Sequence, residues 1–104
     1  MEKYTWRGTI AEGKKEEYIK RHDSLWPEMA EVLKEAGIRN YTIWENNNEL
    51  FGYYECDDLE FAARVQAESP VVDRWNEYMK DVMVMEMDPV TGAQPLMQQV
   101  FLFD

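Results

Sequence analysis

At 104 residues the chain has room for one domain with a modest core, and four Trp, six Tyr, four Phe and seven Met are too many large apolar groups for a disordered tail. The formal charge of -10 excludes nucleic acid and anionic membrane surfaces as expected partners, since both need clustered Lys and Arg. One His and one Cys put the usual zinc and copper ligand sets out of reach, so the expected chemistry is proton transfer without metal or cofactor.

Cys56 has no second cysteine to pair with, which fits a reducing compartment. Met1-Glu2-Lys3-Tyr4-Thr5-Trp6 lacks the apolar core of a signal peptide, and no window approaches a membrane span. The expected location is the cytoplasm.

The chain reads in order as follows. Residues 3–10 alternate as a strand, with Tyr4, Trp6, Gly8 and Ile10 on one face. After Gly13, residues 14–36 carry a helical pattern that breaks near Pro27, giving two helices or one sharp kink. Asp23 or Ser24 is the expected N-cap of the second piece, and Gly37 its C′ residue. Residues 38–45 and 49–56 form a hairpin around Asn46-Asn47-Asn48, because Asn tolerates left-handed backbone. Asp57-Asp58 caps a helix to about Ala67 with Phe61, Ala62 and Val65 inward, and Ser69-Pro70 starts another carrying Val71, Val72, Trp75, Met79 and Val82. Residues 86–95 read as an exposed loop and residues 97–103 as a closing strand.

The order β-α-β-β-α-β predicts one α+β domain over residues 1–104: a ferredoxin-like, split βαβ antiparallel sheet with helices on one face. Such a sheet should alternate cleanly, yet the hairpin sets Leu50 and Tyr54 against Phe51 and Tyr53. The last stretch does the same with Val100 and Leu102 against Phe101 and Phe103. A second subunit covering the other face accounts for both, and a symmetric homodimer is the commonest arrangement.

The only histidine, His22, lies one helical turn after Tyr18, so the two share a face. An imidazole with a pKa near 6.5 gives and takes protons at neutral pH. Spacing alone leaves two readings open, a catalytic histidine or a helix-end one. With Pro27 ending the segment, His22 falls near a helix C-terminus, which favours the charged imidazolium. Tyr41 on its strand, Trp75 on its helix, and Trp6, Trp26 and Trp44 all have core packing as their ordinary role. Glu17 and Arg21 form an i,i+4 pair on a solvated face.

The run Glu16-Glu17-Tyr18, Arg21-His22, Leu25-Trp26-Pro27-Glu28 and Val32-Leu33, followed by Asn40-Tyr41, Arg74-Trp75 and Tyr78 to Met83, resembles the L-rhamnose mutarotase family. The likeness runs nearly end to end and closes on Gln98-Gln99-Val100-Phe101. It implies a dimeric α/β-barrel of ferredoxin-like subunits that interconverts the α and β anomers of L-rhamnose, in the cytoplasm and without cofactor. It places the proton donor at His22, the sugar-contacting tyrosines at Tyr18 and Tyr41, and a substrate-binding tryptophan pair at Trp75 and Asn76. Asn76 departs from the family's Trp: an amide hydrogen-bonds a sugar hydroxyl but does not stack on a ring.

Opening a pyranose requires a proton delivered to the ring oxygen and one removed from the anomeric hydroxyl. The resemblance gives His22 the first task. The base is a carboxylate or a water, and the sequence selects neither. The competing readings are a cofactor-free monooxygenase or small-ring isomerase on the same barrel, and a non-catalytic ligand-binding domain in which His22 is incidental.

Overall fold

The structure is a computed structural model that describes residues 1–87, 89–90, 94 and 97–103. Its elements are β1 (Glu2–Ile10), α1 (Lys15–Asp23), α2 (Pro27–Glu35), β2 (Arg39–Asn46), β3 (Glu49–Cys56), α3 (Leu59–Ala67), α4 (Pro70–Met79) and β4 (Met83–Met85). The sheet runs β2-β3-β1-β4 with antiparallel pairing throughout. That is the split βαβ order, with two short helices in each crossover and all four on one face.

Local chemistry sets the boundaries. Pro27 occupies the first turn of α2, where its missing N–H costs nothing, and so separates α2 from α1. The residue before it, Trp26, is the N-cap and makes no side-chain cap bond, contrary to the expectation for Asp23 or Ser24. Ser24 instead closes α1, its backbone N–H donating to the Lys20 carbonyl while the Leu25 N–H donates to that of His22. Gly37 follows α2 at φ 76°, a left-handed value that a Cβ would strain. Asn47 and Asn48, both at positive φ, make the two-residue turn of the hairpin. Asp58 caps α3 by accepting from the Phe61 N–H, and Ser69 caps α4.

Phe61, expected inward, is 40% exposed, because α3 turns Ala62 inward and lays the phenyl ring on the surface near the Arg64 guanidinium. The closing strand is also different. Residues 97–103 pair with no strand, and β4 is formed by Met83–Met85, which follows α4 directly. The period-two pattern of 97–103 carries strand character, but β4 already occupies the edge position beside Gly8, Thr9 and Ile10. Of the 86–95 loop, the described residues lie in neither helix nor strand, and Asp88, Thr91, Gly92, Ala93 and Pro95 lie outside the described residues.

The core lies between helices and sheet. Trp6, Ile10 and Leu50 from the sheet meet Tyr18, Met29, Trp75, Met79 and Val82, while Tyr54 and Cys56 meet Ala36, Ile38 and Ala62 further along. The opposite face of the sheet carries Trp44, 68% exposed, beside Phe51 and Arg7 in register. Trp44 is therefore not a core residue.

Candidate active site

An open cavity of about 1460 Å³ runs between the helices and the inner face of the sheet. Tyr18, His22, Tyr41, Trp75 and Asn76 all line it, so the fold brings together residues from α1, β2 and α4.

His22 is the penultimate residue of α1 and sits between two rings. Its imidazole lies 4.4 Å from the Tyr18 ring, tilted by 33°, and 5.5 Å from Trp75 at 88°, an edge contact. The His22 Nδ1 is 3.0 Å from the Tyr18 carbonyl oxygen. A carbonyl can only accept, so Nδ1 carries the proton, and Nε2 is left without a hydrogen bond among the described residues. Burial lowers the His22 pKa, outweighing the upward pull of that carbonyl and of Asp23. The lowered pKa runs against the charged imidazole expected at the helix end, and the neutral Nδ1–H tautomer prevails at pH 7.

Tyr18 is buried, and its hydroxyl has no hydrogen-bond partner among the described residues. A buried hydroxyl without a partner costs free energy that an incoming polar ligand would recover. Burial, with a smaller push from Tyr41, raises its pKa, so the phenol stays protonated and available as a donor. Tyr41 is fixed differently. Its oxygen accepts from Trp6 Nε1 at 2.9 Å, and burial pushes its pKa up to about 12. That bond leaves the Tyr41 O–H free to donate.

Trp75 is 8% exposed and held at 5.1 Å and 88° by Trp26, with Tyr78 at 5.7 Å. Asn76, next on α4, is exposed at the cavity wall. Sequence reasoning treated Trp6 and Trp26 as packing only; packing they do, but they also brace Tyr41 and Trp75. It also missed Met83, Met85 and Met87, which line the cavity from β4 and beyond. Their alternate spacing was the available signal.

The geometry offers a neutral imidazole, two protonated phenols, one amide and apolar walls of indole and thioether. It defines a small α+β protein built to move a proton on a compact ligand bearing both hydroxyl groups and an apolar face. A model of the L-rhamnose mutarotase family matches residues 3–103. An L-rhamnose mutarotase of Sinorhizobium fredii is 40% identical over 92% of this chain and 93% of its own. One from Listeria monocytogenes is 45% identical over 68% of this chain and 69% of its own. The crystal structure of an L-rhamnose mutarotase from Formosa agariphila superposes with a TM-score of 0.79 at 26% identity, with both chains covered completely. The chain belongs to the L-rhamnose mutarotase family, isomerases of the anomer-interconverting kind. Membership sets aside the monooxygenase and the non-catalytic readings.

Proposed function

We propose that this chain interconverts the α and β anomers of L-rhamnose by opening and closing the pyranose ring, with His22 delivering the proton to the ring oxygen. The observation that carries the site assignment is the buried, unpartnered Tyr18 hydroxyl in the same cavity wall as His22. A family member that keeps a polar atom dry and unpaired beside an imidazole has a place prepared for a hydroxylated ligand.

His22 starts neutral, with Nδ1–H on the Tyr18 carbonyl and Nε2 as acceptor. Nε2 takes the proton of the anomeric hydroxyl, O1 becomes the aldehyde oxygen, and the bond from C1 to the ring oxygen breaks. The imidazolium then gives that proton to the ring oxygen, and the histidine is neutral again. After C1 turns its other face, the same two transfers in reverse close the ring. One nitrogen thus serves as base and then as donor, which supplies the base that the sequence did not select. Tyr18 and Tyr41 hold sugar hydroxyls with their O–H groups, the Asn76 amide bonds another, and Trp75 covers the apolar edge of the ring. Met83 and Met85 give an apolar wall for the methyl group of a 6-deoxy sugar.

The active form in this reading is a homodimer in the cytoplasm that needs no cofactor. The exposed Trp44, Phe51 and Val84 on the open sheet face support the dimer, with a second copy of the chain as the occupant. The lone, buried Cys56 supports a reducing compartment. No helix among the described residues is long and apolar enough to cross a membrane.

The test is NMR saturation transfer between the two anomeric proton signals of L-rhamnose at pH 7. Enhanced exchange with catalytic amounts of protein is expected. Its absence with folded protein overturns the function, and undiminished exchange in His22→Ala overturns the role of His22.

A further inference from the structure

Arg21 stands beside His22 on α1 but points away from the cavity, toward the far end of α4. Its Nε donates to Glu17 Oε2 at 2.7 Å, within α1. Its Nη1 donates to the Tyr78 carbonyl at 2.6 Å and to Asp81 Oδ1 at 2.8 Å, and Nη2 reaches Asp81 Oδ2 at 3.4 Å. The guanidinium carbon also lies 4.4 Å from the centre of the Tyr78 ring. The side chain is only 12% exposed. A surface i,i+4 pair, which is what Glu17 and Arg21 look like in sequence, would not bury its cation or engage a backbone carbonyl on another helix.

Among the described residues this is the only polar bridge between α1 and α4. The two helices carry the two partners of the site contact, His22 on α1 and Trp75 on α4, one turn before Tyr78. Tyr78 continues the same stack, 5.7 Å from Trp75 and 5.2 Å from Trp26. We propose that Arg21 is a positioning residue for the reaction: by pinning α1 to the C-terminal end of α4, it fixes the angle at which the His22 imidazole meets the Trp75 indole. The direction in which Nε2 faces the sugar is fixed with it.

The requirement is for arginine and not merely for charge. A planar fork satisfies the Glu17 carboxylate, the Asp81 carboxylate and the Tyr78 carbonyl together, whereas a lysine ammonium on its flexible stem cannot span all three in one geometry. A misplacement of the order of 1 Å between reacting groups costs up to about a hundredfold in rate.

This inference rests on the proposed role of His22, and the experiment separates the two. Exchange kinetics on L-rhamnose are measured for wild type, Arg21→Ala, Arg21→Lys and the control Arg74→Ala, which removes a surface pair between α4 and Glu28. The imidazole C–H signals of His22, unobscured because the chain has no other histidine, are recorded for each. Arg21→Ala is expected to lose about tenfold or more in kcat, and Arg21→Lys at least about threefold, with KM within about threefold in both. The His22 signals should shift in both variants as the ring-current field of Trp75 changes, while Arg74→Ala stays within about twofold of wild type. If Arg21→Ala does not fold, Arg21→Lys decides alone. Wild-type kcat in Arg21→Lys overturns the proposal, as does a kcat loss with unmoved His22 signals. A wild type that exchanges nothing overturns the functional reading itself, an outcome distinct from active wild type with equally active variants.

Discussion

The Trp6 indole lies over Gly52, its partner in the β1–β3 register, in the space that any larger residue at position 52 would fill. A Cβ there would collide with Trp6 Cε2, Nε1 and Cζ2, which belong to a rigid ring held in the core. The glycine lets the indole cross β3 and deliver its N–H to the Tyr41 hydroxyl on β2. Gly52→Ala should therefore push the ring aside and unfasten Tyr41. A loss of about 1–3 kcal/mol in urea unfolding is expected from overpacking, together with a severalfold rise in KM for L-rhamnose. Unchanged stability would show that Trp6 has room to move.

The two tyrosines of the site should respond in opposite ways to loss of the hydroxyl. Tyr18→Phe deletes a buried oxygen that has no partner among the described residues, so stability should hold or rise, by up to about 1 kcal/mol. Tyr41→Phe leaves the Trp6 N–H without its acceptor, and stability should fall by about 1–2 kcal/mol. Both should raise KM. Thermal unfolding beside exchange kinetics separates the cases, and a destabilised Tyr18→Phe would mean that its hydroxyl has a partner in solution.

The parts of this molecule legible in the sequence are those set by short-range rules. Pro27, Gly37, Asn47, Asn48 and Asp58 mark boundaries because each fixes a local backbone state or a cap. The Tyr18–His22 face followed from helical spacing. The fourth strand did not, since Met83–Met85 is only three residues long and is defined by its pairing with Gly8, Thr9 and Ile10, a long-range event. The charge state of His22 was misjudged for a related reason. The helix end is a local feature and favours the cation, but the Trp75 ring against the imidazole comes from α4, far along the chain, and burial in the assembled fold lowers the pKa. The Arg21 fork was invisible beyond its i,i+4 partner, because Tyr78 and Asp81 lie in a distant helix and its following turn.

His22 should leave a signature in the pH dependence of stability. Its folded pKa lies below the unfolded value near 6.5, so below that value the unfolded chain holds the extra proton. Stability from this group is intact above pH 6.5 and is lost as pH falls through 6.5 toward the lower folded value. Urea midpoints of wild type and His22→Gln, compared from pH 7.5 to about 5, isolate the effect from the carboxylates, which are common to both. The wild-type midpoint should drop more steeply than that of His22→Gln, and parallel curves would show that the imidazole is not held neutral. At pH 7, His22→Gln should lose about 10²–10⁴-fold in exchange rate.

Asn76 stands where the resemblance to the family implies a second Trp. It is exposed at the cavity wall beside Trp75. Asn76→Trp should add an apolar surface against the sugar at the loss of one hydrogen bond. A net gain of about 1 kcal/mol, roughly fivefold in KM, is expected for L-rhamnose. The gain should shrink for a sugar with a hydroxymethyl group in place of the methyl. An equal effect on both sugars would place Asn76 away from that edge of the ring.

The open sheet face is where the proposed second copy would dock. Trp44 and Phe51 are register partners on it, 68% and 39% exposed, with Val84 on the same face across β1. Arg7, Glu49 and Glu86 share that face, and Arg7 pairs with Glu86, which offsets part of the charge beside the patch. Two copies meeting face to face would bury these side chains against their equivalents, and central aromatic anchors are worth about 2 kcal/mol or more each. Light scattering at micromolar concentration should give the mass of two chains for wild type. Trp44→Glu combined with Phe51→Glu buries two like charges in each half of the interface, and should weaken association by about a thousandfold. The variant should then scatter as one chain while keeping its far-UV circular dichroism, since neither residue belongs to the core between helices and sheet. A wild type with the mass of one chain would remove the homodimer from the proposed function.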